Sequence, residues 1–97
     1  MPHLTISQEA LSGIRRCRTF LLARNPRAAD AASQAIKRKI AVLRSQPEIG
    51  RLVADRPGLR ELIIDFGASG YVARYRFDAT ADRVVVTGFR YQHEFDD

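Results

Sequence analysis

Ninety-seven residues with one cysteine, 45% apolar and 28% charged side chains, describe a single small folded domain and exclude a disulfide-stapled scaffold, a low-complexity chain and a bilayer-spanning helix. The formal charge of +5 is unevenly placed: residues 1–47 hold nine Lys/Arg against two Asp/Glu, and residues 48–97 hold seven against nine. A cationic first half points to an acidic partner, nucleic acid or protein, and without a basic-then-apolar leader the cytoplasm is the expected location, with no membrane partner.

In chain order, His3-Leu4-Thr5-Ile6 reads as a short β stretch closed by Ser7, a good N-cap for the helix that follows. From Gln8 to about Ala23 the apolar positions Leu11, Ile14, Cys17 and Leu21 recur at helical spacing, which makes Cys17 a buried, inert thiol. Gly13 is expected to weaken this helix by roughly 1 kcal/mol relative to alanine. Asn25-Pro26 ends it and starts the next, with Asn25 as cap and Pro26 in the first turn. The second helix, about Pro26 to Ser45, carries the stripe Ala32, Ile36, Ile40 and Leu43. Its run Lys37-Arg38-Lys39 faces water, and Arg44 suits the negative end of the helix dipole. Gln46-Pro47 stops the helix. Glu48 to Gly58, with a proline, glycine and alternating charges, reads as a surface loop.

Three strands follow: Leu59–Ile64, Tyr71–Phe77 and Arg83–Tyr91, with turns at Gly67–Gly70 and Asp78–Asp82. The order β-α-α-β-β-β implies a two-layer α+β fold, an N-terminal helical hairpin packed on one face of a small, mostly antiparallel sheet. Alternation along the middle strand puts Arg74 and Arg76 on one face, and Tyr71, Ala73, Tyr75 and Phe77 on the other. Two guanidinium groups roughly 7 Å apart repel each other, so this face either meets an anion or is a solvated outer surface. In the last strand either Val84-Val86-Gly88-Arg90 or Val85-Thr87-Phe89-Tyr91 could face the helices; a bulge at Gly88 would let Val84, Val86 and Phe89 share the buried side.

The element order, Pro57-Gly58-Leu59-Arg60-Glu61-Leu62 opening a strand, Gly70-Tyr71 opening the next and the closing Arg90-Tyr91-Gln92-His93-Glu94 resemble the RelE/ParE toxin superfamily over essentially the whole chain. The resemblance implies the toxin half of a type II toxin–antitoxin pair, with a cognate antitoxin as partner and a toxin dimer or a heterotetramer with the antitoxin as possible assemblies. It also implies one of two targets. RelE-like members cleave messenger RNA on the ribosome, through a 2′-hydroxyl attacking the adjacent phosphate; ParE-like members poison DNA gyrase without cleaving anything. A non-toxic interaction module working only in complex with an antitoxin is the third alternative.

The ParE-like branch is favoured. In RelE-like ribonucleases an arginine directly follows the glycine-tyrosine pair of the middle strand, and Val72 stands there. ParE-like members often read Arg-His-Gln-Arg-Glu where this chain has Arg90-Tyr91-Gln92-His93-Glu94. On this reading the target-binding residues are Arg74, Arg76, Arg90, Arg60 and Tyr91, with Glu61 and Asp65 close enough to neutralise Arg60. There is no catalytic set. Were the chain a ribonuclease, His93 would serve as base, with Arg90 and Arg74 as phosphate clamps. Arg15, Arg18 and Lys37 are the expected antitoxin contacts, together with grooves between helices and sheet edge where an extended segment could add a strand. No cofactor or metal is expected: His3 and His93 have no companion ligands.

Overall fold

The computed structural model describes residues 1–67 and 69–92. The chain runs through β1 (His3–Ile6), α1 (Gln8–Arg24), α2 (Pro26–Ala41), β2 (Arg51–Leu52), β3 (Leu59–Phe66), β4 (Ser69–Asp78) and β5 (Arg83–Tyr91). The α+β architecture is as expected, with the helical hairpin against a mixed sheet of order β1-β5-β4-β3-β2. β1 pairs with β5 in parallel, Leu4 opposite Val84 and Ile6 opposite Val86, while every other pairing is antiparallel.

Local chemistry starts each helix where the side chains say it must. Ser7 accepts a hydrogen bond from the Ala10 amide at 3.1 Å, and Asn25 accepts one from the Ala28 amide at 3.1 Å with Pro26 in the first turn. Each cap satisfies an amide that the helix leaves unpaired, worth about 1 kcal/mol. The second helix stops being α-helical at Ala41 rather than Ser45, and Val42–Arg44 tighten into a 3-10 turn that buries Leu43.

The first helix buries the expected stripe only in part, with Ile14 and Leu21 packed against the edge of the core. Ala10, Gly13 and Cys17 are its fully buried positions, while Leu11, Ile14 and Leu21 are half-buried at the flanks. Small residues face the sheet because the helix lies close on β5: a Cβ at residue 13 would collide with the Phe89 carbonyl. Gly13 therefore lowers helix propensity and enables the docking of the helix.

The sheet brings one further correction and settles one open alternative. The segment Glu48–Gly58, read as loop, contains the short strand β2, with Arg51 opposite Glu61 and Leu52 opposite Arg60. It is held from both sides: the Gly50 amide donates to the Tyr75 hydroxyl at 2.8 Å, and Arg60 donates to the Glu48 and Gly50 carbonyls at 3.0 and 2.7 Å. On β5, Arg74 pairs with Gly88 and Tyr75 with Val86, leaving Thr87 as the extra residue. This bulge resolves the ambiguity in the last strand, since Val84, Val86 and Phe89 are all buried.

The core lies between the helices and one face of the sheet. Leu62, Ile64, Tyr71, Ala73, Tyr75, Val84, Val86 and Phe89 meet Cys17, Ala32, Ile36, Ile40 and Leu43. Each large aliphatic side chain so buried contributes on the order of 1.5–3 kcal/mol. Tyr71 stacks on Phe89 at 5.3 Å and on Tyr91 at 5.2 Å between ring centres. Burial, then the neighbouring Tyr91 and Cys17, pushes the Tyr71 phenol up to about 12. No described helix is long and apolar enough to cross a membrane.

Candidate functional site

The hairpin register decides which charges meet on the side of the sheet away from the helices. Phe66 pairs with Ser69, and counting back along both strands brings Glu61 opposite Arg74 and Leu59 opposite Arg76. Side chains on this face alternate with those of the core, so Glu61 and Ile63 of β3, Val72, Arg74 and Arg76 of β4, and Arg90 of β5 share it. Arg74 and Arg76 stand on the open side, as expected.

The anion that the paired arginines call for is supplied internally to Arg74. Its Nε donates to Glu61 Oε2 at 2.9 Å. Arg51 Nη2 lies 3.3 Å from Glu61 Oε1, and Arg90 Nη2 lies 3.7 Å from Oε2. Glu61 is only 8% exposed and is the one charged residue buried among those described. Burial pushes its carboxyl up, but the hydrogen bonds and charges of Arg74 and then Arg51 outweigh that, holding it below the usual carboxylate value. Arg76 turns elsewhere, donating to the Pro57 carbonyl at 2.7 Å over Gly58, whose φ of +78° forms the turn before β3.

No helix covers this side, yet Leu59 and Val72 are only 4% and 3% exposed. Long side chains stand beside both: Arg76 is paired with Leu59 and Arg90 with Val72 across the sheet, where arginine stems can shelter an apolar floor. Beside them is a cleft of about 260 Å³ lined by Glu9, Arg16, Val72, Arg74, Gly88, Phe89 and Arg90. A second, of about 550 Å³, lies at the far end of β4 and β5 and includes Arg76, Arg83, Val85 and Thr87.

Two of the expected target-binding residues lie elsewhere. Arg60 alternates to the helix side, opposite Tyr75, and its charged neighbour is Glu48 at 3.7 Å rather than Glu61 or Asp65. Tyr91 also faces the helix layer, its hydroxyl 3.3 Å from the Cys17 carbonyl and its ring edge-on to Phe20. His93 and Glu94 lie outside the described residues. Arg16, Arg51 and Glu9 were not singled out in the sequence. Arg51 belongs to a two-residue strand with no periodicity to betray it, and the two helix residues reach the cleft only through the close packing at Gly13. Glu61 could have been found: a tight turn after Phe66 forces it opposite Arg74.

The expected antitoxin contacts are spread over the helical layer. Arg15 and Arg18 are exposed on α1, with Arg18 3.7 Å from Asp30 of α2. Lys37 borders an apolar groove of about 500 Å³, walled by Leu4 and Ile6 of β1, Ile14 of α1, and Ile36 and Ile40 of α2, with Arg44 also on its rim. β1 is an edge strand of the sheet, so its outer backbone groups open onto the groove's neighbourhood. Among the described residues no group of His, Cys, Asp and Glu gathers to hold a metal ion.

Comparison with known proteins bears on both surfaces. The family described as "ParE toxin of type II toxin-antitoxin system, parDE" matches residues 4–94. Toxin RelE3 of Caulobacter vibrioides is 33% identical over 94 residues, a match covering 97% of this chain and 98% of that protein.

Proposed function

Since this chain belongs to the ParE toxin family of type II toxin–antitoxin systems, we propose that it arrests growth by binding and inhibiting DNA gyrase, using Arg74, Arg76 and Arg90 on the open face of the sheet. The observation that carries this reading is Val72. Cleavage of RNA by its own 2′-hydroxyl needs a base, an acid and cations on the charge that develops at phosphorus. The position after Gly70-Tyr71, where ribonucleases of the superfamily carry an arginine, is here an apolar side chain only 3% exposed. In a supercoiling assay, purified protein is expected to inhibit gyrase at micromolar concentration; unhindered supercoiling overturns the proposal.

A ribosome-dependent ribonuclease is the second reading. It draws support from the name of the Caulobacter relative and from the arginine-lined cleft. Primer extension on translated messenger separates the two. Cuts in the A-site codon that disappear in His93→Ala support the ribonuclease, and intact messenger removes it.

An antitoxin is the partner that membership of this family brings. Its acidic segment is proposed to lie in the groove between β1 and α2, apolar side chains against Leu4, Ile6 and Ile36 and carboxylates beside Lys37 and Arg44, with backbone pairing along β1. The complex is then expected to weaken as salt rises, because exposed charge pairs are screened within about 8–10 Å. Lys37→Glu combined with Arg44→Glu should weaken it further, read by titration calorimetry. Affinity unchanged by both salt and charge reversal removes this site.

A further inference from the structure

Glu61 sits where three strands deliver one guanidinium each: Arg51 from β2, Arg74 from β4 and Arg90 from β5. Its two oxygens take up donors from strands that lie about 5–14 Å apart across the sheet, given strand spacings near ~4.8 Å. Next to the network lies the cleft of about 260 Å³ that Val72 and Gly88 line, with Glu9 and Arg16 of α1 at its side. A Cβ at Gly88 would meet nothing closer than Arg74 Cβ at 3.9 Å. Without the carboxylate this would be a groove of clustered guanidinium groups beside a shallow apolar floor, the arrangement that takes up the backbone of single-stranded nucleic acid.

We propose that Glu61 withholds this face from nucleic acid, occupying as an internal counter-ion the guanidinium donors that a phosphodiester would otherwise engage. Charge-assisted hydrogen bonds between arginine and carboxylate compete directly with those to phosphate. Glu61 is held on a central strand and buried to 8% exposure, so a phosphate must displace a fixed partner rather than a mobile surface carboxylate. Its depressed pKa is consistent, as the carboxylate stays charged throughout the physiological range. The arginine face is thereby kept for a partner that docks by shape and apolar contact as well as charge. The inference concerns discrimination between classes of ligand: it does not need gyrase in particular as the target, but it is incompatible with the ribonuclease reading, in which Arg74 and Arg90 would clamp phosphate.

The test is binding of a fluorescent, unstructured RNA oligonucleotide by anisotropy, from low to physiological salt. The protein is produced with its antitoxin, separated and refolded, and circular dichroism checks each variant. Glu61→Gln keeps the size of the side chain and removes its charge. It is expected to bind about tenfold more tightly than the parent, as one additional charge-assisted hydrogen bond to phosphate would give. Its salt dependence should steepen by about 0.7 in logarithmic slope for each added phosphate. Asp65→Asn makes the same change in net charge on the same strand, outside the network, and should alter affinity by less than about twofold. Glu61→Gln binding no tighter than the parent, or Asp65→Asn matching it, overturns the proposal. If Glu61→Gln does not fold, Arg74→Gln decides. A donor already withheld by Glu61 contributes little, so its loss should leave the weak parental binding within about twofold. Abolition of that binding would show Arg74 engaging phosphate in the native protein, and the proposal fails.

Discussion

The two faces of the sheet are made by the same strands, residue by alternate residue, yet they are stabilised in different ways. Under the helices, Leu62, Ile64, Tyr75, Val84 and Val86 are closed off by a second layer of structure, and small residues at Ala10, Gly13 and Cys17 let that layer come close. On the other side Leu59 and Val72 are just as hidden without a helical layer over them, and beside them Glu61 gathers Arg51, Arg74 and Arg90. The first face is sealed by packing that charge cannot replace. The second is lined by groups that are also the protein's means of meeting other molecules.

If that contrast is right, the largest loss of stability should come from the covered face. Gly13→Ala places a methyl group against the Phe89 carbonyl, where neither backbone can yield freely. A destabilisation of about 3 kcal/mol is expected. In a domain this size that lowers Tm by more than about 10 °C. A thermal melt that barely moves would mean the helix is not seated as described. Tyr75→Phe comes next. It strands the buried Gly50 amide and should cost about 1–2 kcal/mol, seen as a lower urea midpoint at unchanged slope. On the arginine side, Arg74→Ala with Arg76→Ala should cost about 1 kcal/mol, since the arginines are partly exposed and Arg51 and Arg90 still face the buried Glu61. The same double variant should relieve growth arrest on overproduction, scored by colony counts. Unfolding of the pair would erase the distinction between the faces.

The smallest expected effect is the most discriminating, because the faces should fail at opposite ends of the pH scale. Glu61 has a folded pKa below its unfolded value, so its contribution is complete above the usual carboxylate range and is lost as pH falls through the folded pKa. Glu61→Gln should flatten the acid limb of stability against pH. Tyr71, at about 12 in the folded chain, contributes fully below its unfolded value near 10 and loses that contribution as pH rises towards 12. Tyr71→Phe should flatten the alkaline limb alone. Denaturant midpoints across pH measure both, and a variant that alters the wrong limb would contradict the assignment of faces.

Most of the fold was legible because its signals are local. Ser7, Asn25 and Pro26 mark helix ends through hydrogen bonds with their near neighbours, and the stripe from Ala32 to Leu43 repeats at helical spacing. Alternation in the middle strand put Arg74 and Arg76 on the correct face. What escaped depends on partners distant in sequence. Gly13 looks like a weak point until Phe89 is brought against it. β2 is too short to show a pattern and exists through Tyr75 and Arg60. The same limitation separated Arg60 and Tyr91 from the site: Arg60 is one residue out of phase with Glu61, and the bulge at Thr87 and Gly88 is what finally orients Arg90 and Tyr91. The arginine cluster was visible as charge, whereas the carboxylate at its centre required the register of the hairpin.

The parallel pairing of β1 with β5 has a consequence for biosynthesis. His3–Ile6 are made long before their partners Arg83–Val86. Leu4 and Ile6 therefore have no strand to rest on until β5 has been made, and contacts so distant in sequence form late. The nascent polypeptide cannot present a finished docking groove before then, and an antitoxin that uses it must wait for β5.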